Sequence, residues 1–457
     1  MSMVPEPRCG GVASQTILRR HSQVPHLNVH SLARSRASAE AAWGAVRNFA
    51  APWHPMVTSM VSETADGSLV RRFSIQGEDT IYRERLTWFS DSEQSMAYTH
   101  LEGIEGVDRY DGRLTLSPTE DGGSTIAMSA GITGPLSRAQ QVADGTQAVF
   151  DAGTAAIVKL AESRPPVSDS ATKKASDVPA AVEIEAVTFD SLPRLALSVT
   201  PGKGQTLCLF LHGIGGNRTN WAGQLQAVAP YCRAAALDLR GYGDSSLGAE
   251  QSTVDDYCAD ILRVMEVLGV ERLVLCGLSF GAWIATSFAM RHPDKLAALV
   301  LSGGCTGMSE AGADERNAFR LSREVPMNEG QTPADFAPSV VKAISGPDTT
   351  DATRGELIAS MQAIPTETYA DALRCFTNPL EWLDFTGLTM PVLLMTGKHD
   401  RLAPPHEIKS VAERIWDASP QPDVRYEMIV GAGHVCNLDN PDAYNRPLTD
   451  LIRRVAP

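Results

Sequence analysis

Leu273-Val274-Leu275-Cys276-Gly277-Leu278-Ser279-Phe280-Gly281-Ala282-Trp283 decides how the larger part of this chain folds. The first four residues form a continuous apolar run, the composition of a strand buried on both faces. From Phe280 to Arg291 the residues read as a helix. Between the two lies a G-x-S-x-G. Alone the pattern is weak, since ordinary Gly and Ser contents produce it by chance in roughly one chain in six or seven of this length. Between a strand and a helix it describes a turn so tight that the serine is strained and its neighbours must be small. Gly277 and Gly281 meet that requirement. Ser279 would then project its hydroxyl beyond the sheet edge, beside a helix N-terminus that favours negative charge.

Outward from this turn, apolar runs alternate with helical patterns. Strands are expected at 183–189, 195–199, 206–211, 234–239, 272–276, 297–302, 392–396 and 424–429. Helices are expected at 219–229, 253–268, 280–291, 406–416 and 441–453. Such alternation implies a mostly parallel sheet covered by helices. Residues 305–385 interrupt it, read as mostly helical, and are expected to form a lid over the site. Met308, Phe319, Met327, Phe336, Met361, Phe376 and Trp382 stand there among many charges, which suits a medium-sized, partly apolar substrate.

A serine hydroxyl near neutral pH needs a base. In this topology the acid and the histidine follow the serine, in the order Ser, Asp, His. Asp400 stands just past the apolar strand, in Gly397-Lys398-His399-Asp400-Arg401, and His434 follows the next strand, in Gly431-Ala432-Gly433-His434. Both fall at strand C-terminal ends, where parallel sheets collect ligands. Asp384 and Asp417 compete for the acid role but lie in helical or pre-strand segments, and His399 reads as a loop residue. The catalytic residues expected are therefore Ser279, Asp400 and His434. An oxyanion needs two preorganised backbone donors, and the amide of Phe280 is one.

These residues resemble the α/β-hydrolase family over about residues 183–457. Asp238-Leu239-Arg240-Gly241-Tyr242-Gly243-Asp244-Ser245 matches the family's D-x-R-G-x-G-x-S loop, Arg291-His292-Pro293 its R-H-P helix ending, and Pro391 through Pro404 its acid loop. The resemblance implies that the second oxyanion donor is the amide of Ile214, in His212-Gly213-Ile214-Gly215-Gly216. It also implies that His212 and Asp238 are structural. Within the family, HGIGGN, GLSFGAW and GAGHVCNLDNP look most like 3-oxoadipate enol-lactonases and related lactone or ester hydrolases. A serine nucleophile speaks against dehalogenases and epoxide hydrolases, where the family has Asp. C–C hydrolases of vinylogous diketones share the triad and remain an alternative. A ligand sensor with incidental turnover is the reading from a different class.

Residues 162–181, ESRPPVSDSATKKASDVPAA, have linker composition and divide the chain. The organisation expected is a disordered tail at 1–28, a first domain at 29–163, a linker at 164–181 and a second domain at 182–457. A polar linker predicts separable folds. In the first domain a short helix at 39–49 precedes strands at 70–76, 80–89, 95–101, 112–117 and 124–132, and a long helix at 136–160 closes it. This is an α+β layout, a curved antiparallel sheet around a helix, and the gap between them suits an apolar ligand. Ala39-Glu40, Trp43, Phe49, Trp53-His54-Pro55, Arg71-Arg72, Glu84-Arg85-Leu86, Tyr98 and Asp121-Gly122-Gly123 resemble the START-like polyketide cyclase/dehydrase (SRPBCC) superfamily. That resemblance implies a helix-grip fold and a cavity for hydrophobic small molecules. Candidate polar groups there are His54, Arg72, Arg85, His100 and Tyr110, while Trp43, Trp53 and Trp88 read as core.

The chain has 457 residues, enough for two or three domains. A formal charge of −14 and the lack of a basic block argue against nucleic acid or anionic lipid as partners. No run of apolar residues is long enough to span a membrane. The eight cysteines are scattered without CxxC spacing, which reads as reduced thiols, a cytoplasmic location and no structural zinc. Residues 1–30 are Arg-rich and acid-poor but have no apolar core of a secretory signal. No cofactor or metal is expected. The partner expected is a small ester, lactone or related carbonyl compound.

Overall fold

The computed structural model describes residues 26–163 and 181–456, residues 66 and 381 excepted. The tail up to residue 25 and the linker at 164–180 lie outside the described residues.

The N-terminal part runs β1 (His26–Ser35), α1 (Ala39–Val46), β2 (Val57–Ala65), β3 (Ser68–Ile75), β4 (Ile81–Ser90), β5 (Ser95–Glu102), β6 (Arg109–Pro118), β7 (Ser124–Thr133) and α2 (Leu136–Ser163). Its strands pair antiparallel in the order β1-β7-β6-β5-β4-β3-β2. The sheet curves around α2, whose Ala139, Ala143, Phe150 and Ile157 are buried against Leu114, Ile126, Met128 and Ile132. This is the helix-grip arrangement. The α1 start is capped by Ser38, whose hydroxyl accepts from the Ala41 amide.

Two strands here were not legible in the sequence. β1 begins at His26, so residues 26–28 are strand and not tail. Its inward positions include Ser31 and Ser35, whose hydroxyls bond Asp151 and Glu162 on α2. β2 is a largely exposed edge that pairs β3 alone. Neither strand shows the apolar alternation from which strands are read.

The C-terminal part contains β8 (Glu185–Phe189), β9 (Leu195–Val199), β10 (Thr206–Leu211), α3 (Ala222–Val228), β11 (Ala234–Asp238), α4 (Val254–Leu268), β12 (Arg272–Leu278), α5 (Phe280–Arg291) and β13 (Leu296–Ser302). Four helices follow as the lid, α6 (Ala313–Asn328), α7 (Pro333–Ile344), α8 (Asp351–Gln362) and α9 (Thr366–Phe376). The chain then returns through β14 (Val392–Gly397), α10 (Pro405–Ala418), β15 (Val424–Ile429), α11 (Cys436–Asp439) and α12 (Pro441–Val455). β10 to β15 form a parallel sheet in the order β11-β10-β12-β13-β14-β15, and β8 and β9 add antiparallel strands beyond β11. Cores pack on both faces, which explains the uninterrupted apolar runs of β10, β12 and β13.

The two sheets are joined. β15 pairs parallel with β4, Val424 with Trp88 and Arg425 with Phe89, giving one sheet of 15 strands. The Glu427 carboxylate of β15 accepts from the Asp91 and Ser92 amides in the β4–β5 turn, both at 3.1 Å. Ser92 in turn accepts from the Met428 amide at 2.9 Å, and Lys409 pairs with Glu93 at 2.6 Å. Trp88 stacks on Tyr426 and meets Trp416 edge-on. The separability expected from the polar linker is thus opposed by a structured joint, because the contacts come from residues far from the linker.

Candidate active site

Ser279 stands between β12 and α5 at φ 55°, ψ −116°, a backbone region that side chains other than glycine's rarely occupy. The neighbours explain how the turn closes. A Cβ on Gly277 would collide with the Gly281 carbonyl, and one on Gly281 with the carbonyls of Leu211 and His212. The Ser279 amide is tied to the Ser302 carbonyl at 2.8 Å. Gly213 passes so close that a Cβ there would lie 3.9 Å from the Ser279 Oγ.

Asp400 and His434 come together from the loops after β14 and β15. His434 Nδ1 lies 2.9 Å from Asp400 Oδ2, and both side chains are buried. Asp400 Oδ1 accepts from the amides of Leu402 and Ala403 at 2.9 and 3.0 Å. The carboxylate is therefore fixed on both oxygens and can only accept from the imidazole. That places the ring proton on Nδ1 and leaves Nε2 bare. Nε2 is buried and, among the described residues, without a hydrogen-bond partner. Ser279 and His434 line the same cavity, of about 250 Å³. Of the competing acids, the exposed Asp384 caps a short 3₁₀ turn through the Thr386 amide, and Asp417 lies within α10.

Ile214 and Phe280 both line this cavity. Phe280 opens α5, so its amide has no intrahelical partner. The carbonyl of Ile214 is held from behind by the Tyr242 hydroxyl at 3.0 Å. His212 sits beneath: its Nε2 accepts from the Leu239 amide and its Nδ1 donates to the Gly213 carbonyl. Burial holds its pKa below the usual imidazole range. It shapes the loop and has no free nitrogen. Asp238 is buried, paired with Arg218, and accepts from the Asp244 amide. One contributor was not legible in the sequence. Gly303, at φ 52°, passes the Asp400–His434 pair so closely that a Cβ would stand 3.2 Å from the Asp400 Oδ2 and from the imidazole. No motif marks it, because the approach arises only when β13 and β14 are side by side.

The remaining walls come from the lid, the loop after β14 and α10: Phe319, Met361, Phe376, Leu402, Ile408 and Val411 among others. Arg323 is the lid cation in the lining, stacked on Phe319 at 4.0 Å. Met327 and Phe336 belong to the surrounding core and do not line the cavity.

A second cavity, of about 500 Å³, opens between the N-terminal sheet and α2. His54 and Tyr110 line it as expected, but Arg72 is exposed and Arg71 takes the inward place. Arg71 is paired with Glu84 and donates Nε to the Glu84 Oε2 at 2.6 Å. His54 is fully engaged, with Nε2 on the Val149 carbonyl and Nδ1 accepting from the Met56 amide. His100 accepts from the Ile104 amide and does not line the cavity; burial lowers its pKa to about 4. Arg85 also lies outside the lining and contributes to the field on Asp423. Trp43 and Trp88 are core, whereas Trp53 lines the cavity.

With this geometry in view, the comparisons with known proteins fall into place. The sequence model of the alpha/beta hydrolase fold matches residues 207–441, and the chain belongs to that family. Residues 27–162 match the model described as polyketide cyclase / dehydrase and lipid transport. The biotin biosynthesis bifunctional protein BioHC of Teredinibacter turnerae is 23% identical over 287 residues, 56% of this chain, and the alignment spans 46% of that relative. The 2-hydroxy-6-oxononadienedioate/2-hydroxy-6-oxononatrienedioate hydrolase of Cupriavidus pinatubonensis is 24% identical over 267 residues, 55% of this chain and 88% of the relative. Among solved structures, a thermophilic esterase from Thermogutta terrifontis superposes with a TM-score of 0.51 at 23% identity, covering 60% of this chain and all of the esterase. Among the described residues, no helix is long and apolar enough to cross a membrane.

Proposed function

We propose that the C-terminal domain, 182–457, is a serine hydrolase that cleaves a carboxylic ester or lactone of a small, partly apolar compound. The observation that carries this is the Asp400–His434 pair, with its bare Nε2, in one cavity with the strained Ser279. Ser279 Oγ attacks the substrate carbonyl while His434 Nε2 takes its proton, and Asp400 stabilises the imidazolium. The oxyanion is held by the amides of Ile214 and Phe280. His434 then returns the proton to the leaving alkoxide. Water, deprotonated by the same nitrogen, releases the acid and restores the hydroxyl. The N-terminal domain, 29–163, binds a hydrophobic ligand in its own cavity.

Cleavage of a C–C bond in a vinylogous diketone is the second reading, supported by the similarity to the Cupriavidus hydrolase. A fluorophosphonate should label Ser279, and p-nitrophenyl acetate should be turned over. A panel of lactones, esters and vinylogous 1,5-diketones then separates the two readings. Absence of both labelling and ester turnover would sink the hydrolase reading and leave a ligand sensor.

A further inference from the structure

Asp439, the last residue of α11, is buried, and its side chain accepts three hydrogen bonds, none of them from its own helix. Oδ2 takes the amides of Gly433 at 2.7 Å and of Gly346 at 3.0 Å. Oδ1 takes the Thr349 hydroxyl at 2.6 Å, a stronger acceptor for that proton than the neutral Gly346 carbonyl at 2.9 Å. Every partner donates, so the group is held as a carboxylate. Gly433 leads into His434, whereas Gly346 and Thr349 stand in the lid, on the turn between α7 and α8. One carboxylate thus ties the loop of the base to the lid. Backbone contacts confine the same junction. The His434 amide donates to the Ile344 carbonyl at 2.8 Å, and the Asp348 amide to the Gly431 carbonyl at 3.2 Å. A Cβ on Gly433 would collide with the Ile344 carbonyl, and one on Gly346 with the Gly433 amide.

Two things aim the imidazole: the bond from Nδ1 to Asp400 and the backbone that carries the ring. A bond at Nδ1 alone lets Nε2 swing if that backbone moves. Nε2 must reach Ser279 Oγ or a water in both halves of the reaction. A misplacement of about 1 Å costs about 10²-fold in rate. Without Asp439 the buried amides of Gly433 and Gly346 lose their acceptor, and the glycines at 431 and 433 give the loop freedom to shift. We propose that Asp439 is a positioning residue for the base, fixing Gly433, and through it His434, against the lid turn. α7 and α8 also supply Val341, Ile344, Leu357 and Met361 to the cavity wall. The wall that faces the substrate and the base that acts on it therefore share one anchor.

The assignment rests on the hydrolase reading of this site, and the full chain tests the two apart. Turnover of p-nitrophenyl acetate, fluorophosphonate labelling and urea melts are compared for the wild type, Asp439→Ala, Asp439→Asn and Asp442→Ala. In Asp439→Ala, kcat falls about 10- to 100-fold with KM within about threefold, because one base serves both half-reactions. Asp439→Asn keeps an oxygen for the two amides and turns its NH2 to Thr349, which restores kcat to within about threefold of the wild type. Asp442→Ala, which removes an exposed carboxylate three residues on, leaves kcat unchanged. A purely structural carboxylate would lower the urea midpoint of the Ala variant and leave kcat of the folded protein intact; that result overturns the assignment. An Asn variant as slow as the Ala variant, or an equal loss in Asp442→Ala, overturns it too, since charge and not the amide bonds would then set the rate. Absence of labelling and turnover in the wild type overturns the hydrolase reading and this assignment together. Should the Ala variant fail to fold, Asp439→Ser, too short to reach both amides, takes its place with the same readout.

Discussion

Ser279 is held at φ 55° by the packing of Gly277 and Gly281 against backbone on either side, and that strain has a measurable consequence. A non-glycine residue in such a conformation costs about 1–3 kcal/mol, whereas glycine adopts it freely and loses about 0.4–1 kcal/mol of stability through the unfolded chain. Ser279→Gly should therefore be more stable than Ser279→Ala by about 1 kcal/mol, readable in denaturant melts; equal stability would mean that the turn is not strained. Both variants should lose several powers of ten in kcat, because each removes the nucleophile and leaves the cavity. An acylated peptide lacking Ser279 would contradict this placement. Asp400→Asn should cost about 10⁴-fold and His434→Ala about 10⁶-fold, and joining either to Ser279→Ala should add little, since the three act as a unit. Near wild-type turnover in the Asp400 variant would move the acid elsewhere. The order and loop positions of these residues could be read from sequence, but the contact of Gly303 with the pair could not.

At the level of elements, the β4–β5 turn and the β15–α10 pair are the parts that bear on the site from outside it. β15 leads to His434, and α10 follows Asp400 and contributes Ile408 and Val411 to the cavity. Both are gripped by the N-terminal domain, through Glu427 on two turn amides and Trp416 on Trp88. Glu427 is 5% exposed, so its removal leaves the half-buried Asp91 and Ser92 amides without their acceptor and Arg425 with only its weaker contacts to Asp91 and Asp450. Glu427→Leu should destabilise the whole protein by about 3 kcal/mol, each orphaned donor costing about 1–3. The unfolding midpoint of this variant should fall in urea, while Lys409→Ala, a half-exposed partner of Glu93, should move it by less than about 1 kcal/mol. Helices and parallel strands of the C-terminal part were legible because their apolar periods are set by burial on two faces. β1 and β2 were not, because one buries serines against α2 and the other buries little.

For the whole molecule, the joined sheet decides how the chain responds to being divided. A protein beginning at Ala181 would expose the β15 edge together with Trp416, Tyr426 and Glu427, now covered by β4 and its turn. An edge of that kind invites aggregation. Such a truncation should lower the melting temperature and associate in light scattering, with the ratio of kcat/KM for small and large esters unchanged in whatever remains folded. A stable monomer with a changed ratio would instead favour capture of substrate by the N-terminal domain. Turnover should also survive EDTA, since no group of three or more metal-binding side chains occurs among the described residues; restoration of a chelated sample by zinc would refute this. Local order along the chain determined the strands, helices and turns of the C-terminal part, and with them the loop positions of Ser279, Asp400 and His434, because each depends on neighbours a few residues away. The tertiary structure alone decided which arginine of the Arg71-Arg72 pair turns inward and that Glu84 meets it there. It also decided that the two sheets fuse through residues more than 330 positions apart, Asp91 and Glu427. Register and long-range packing set those outcomes, and neither leaves a periodic trace in a single sequence.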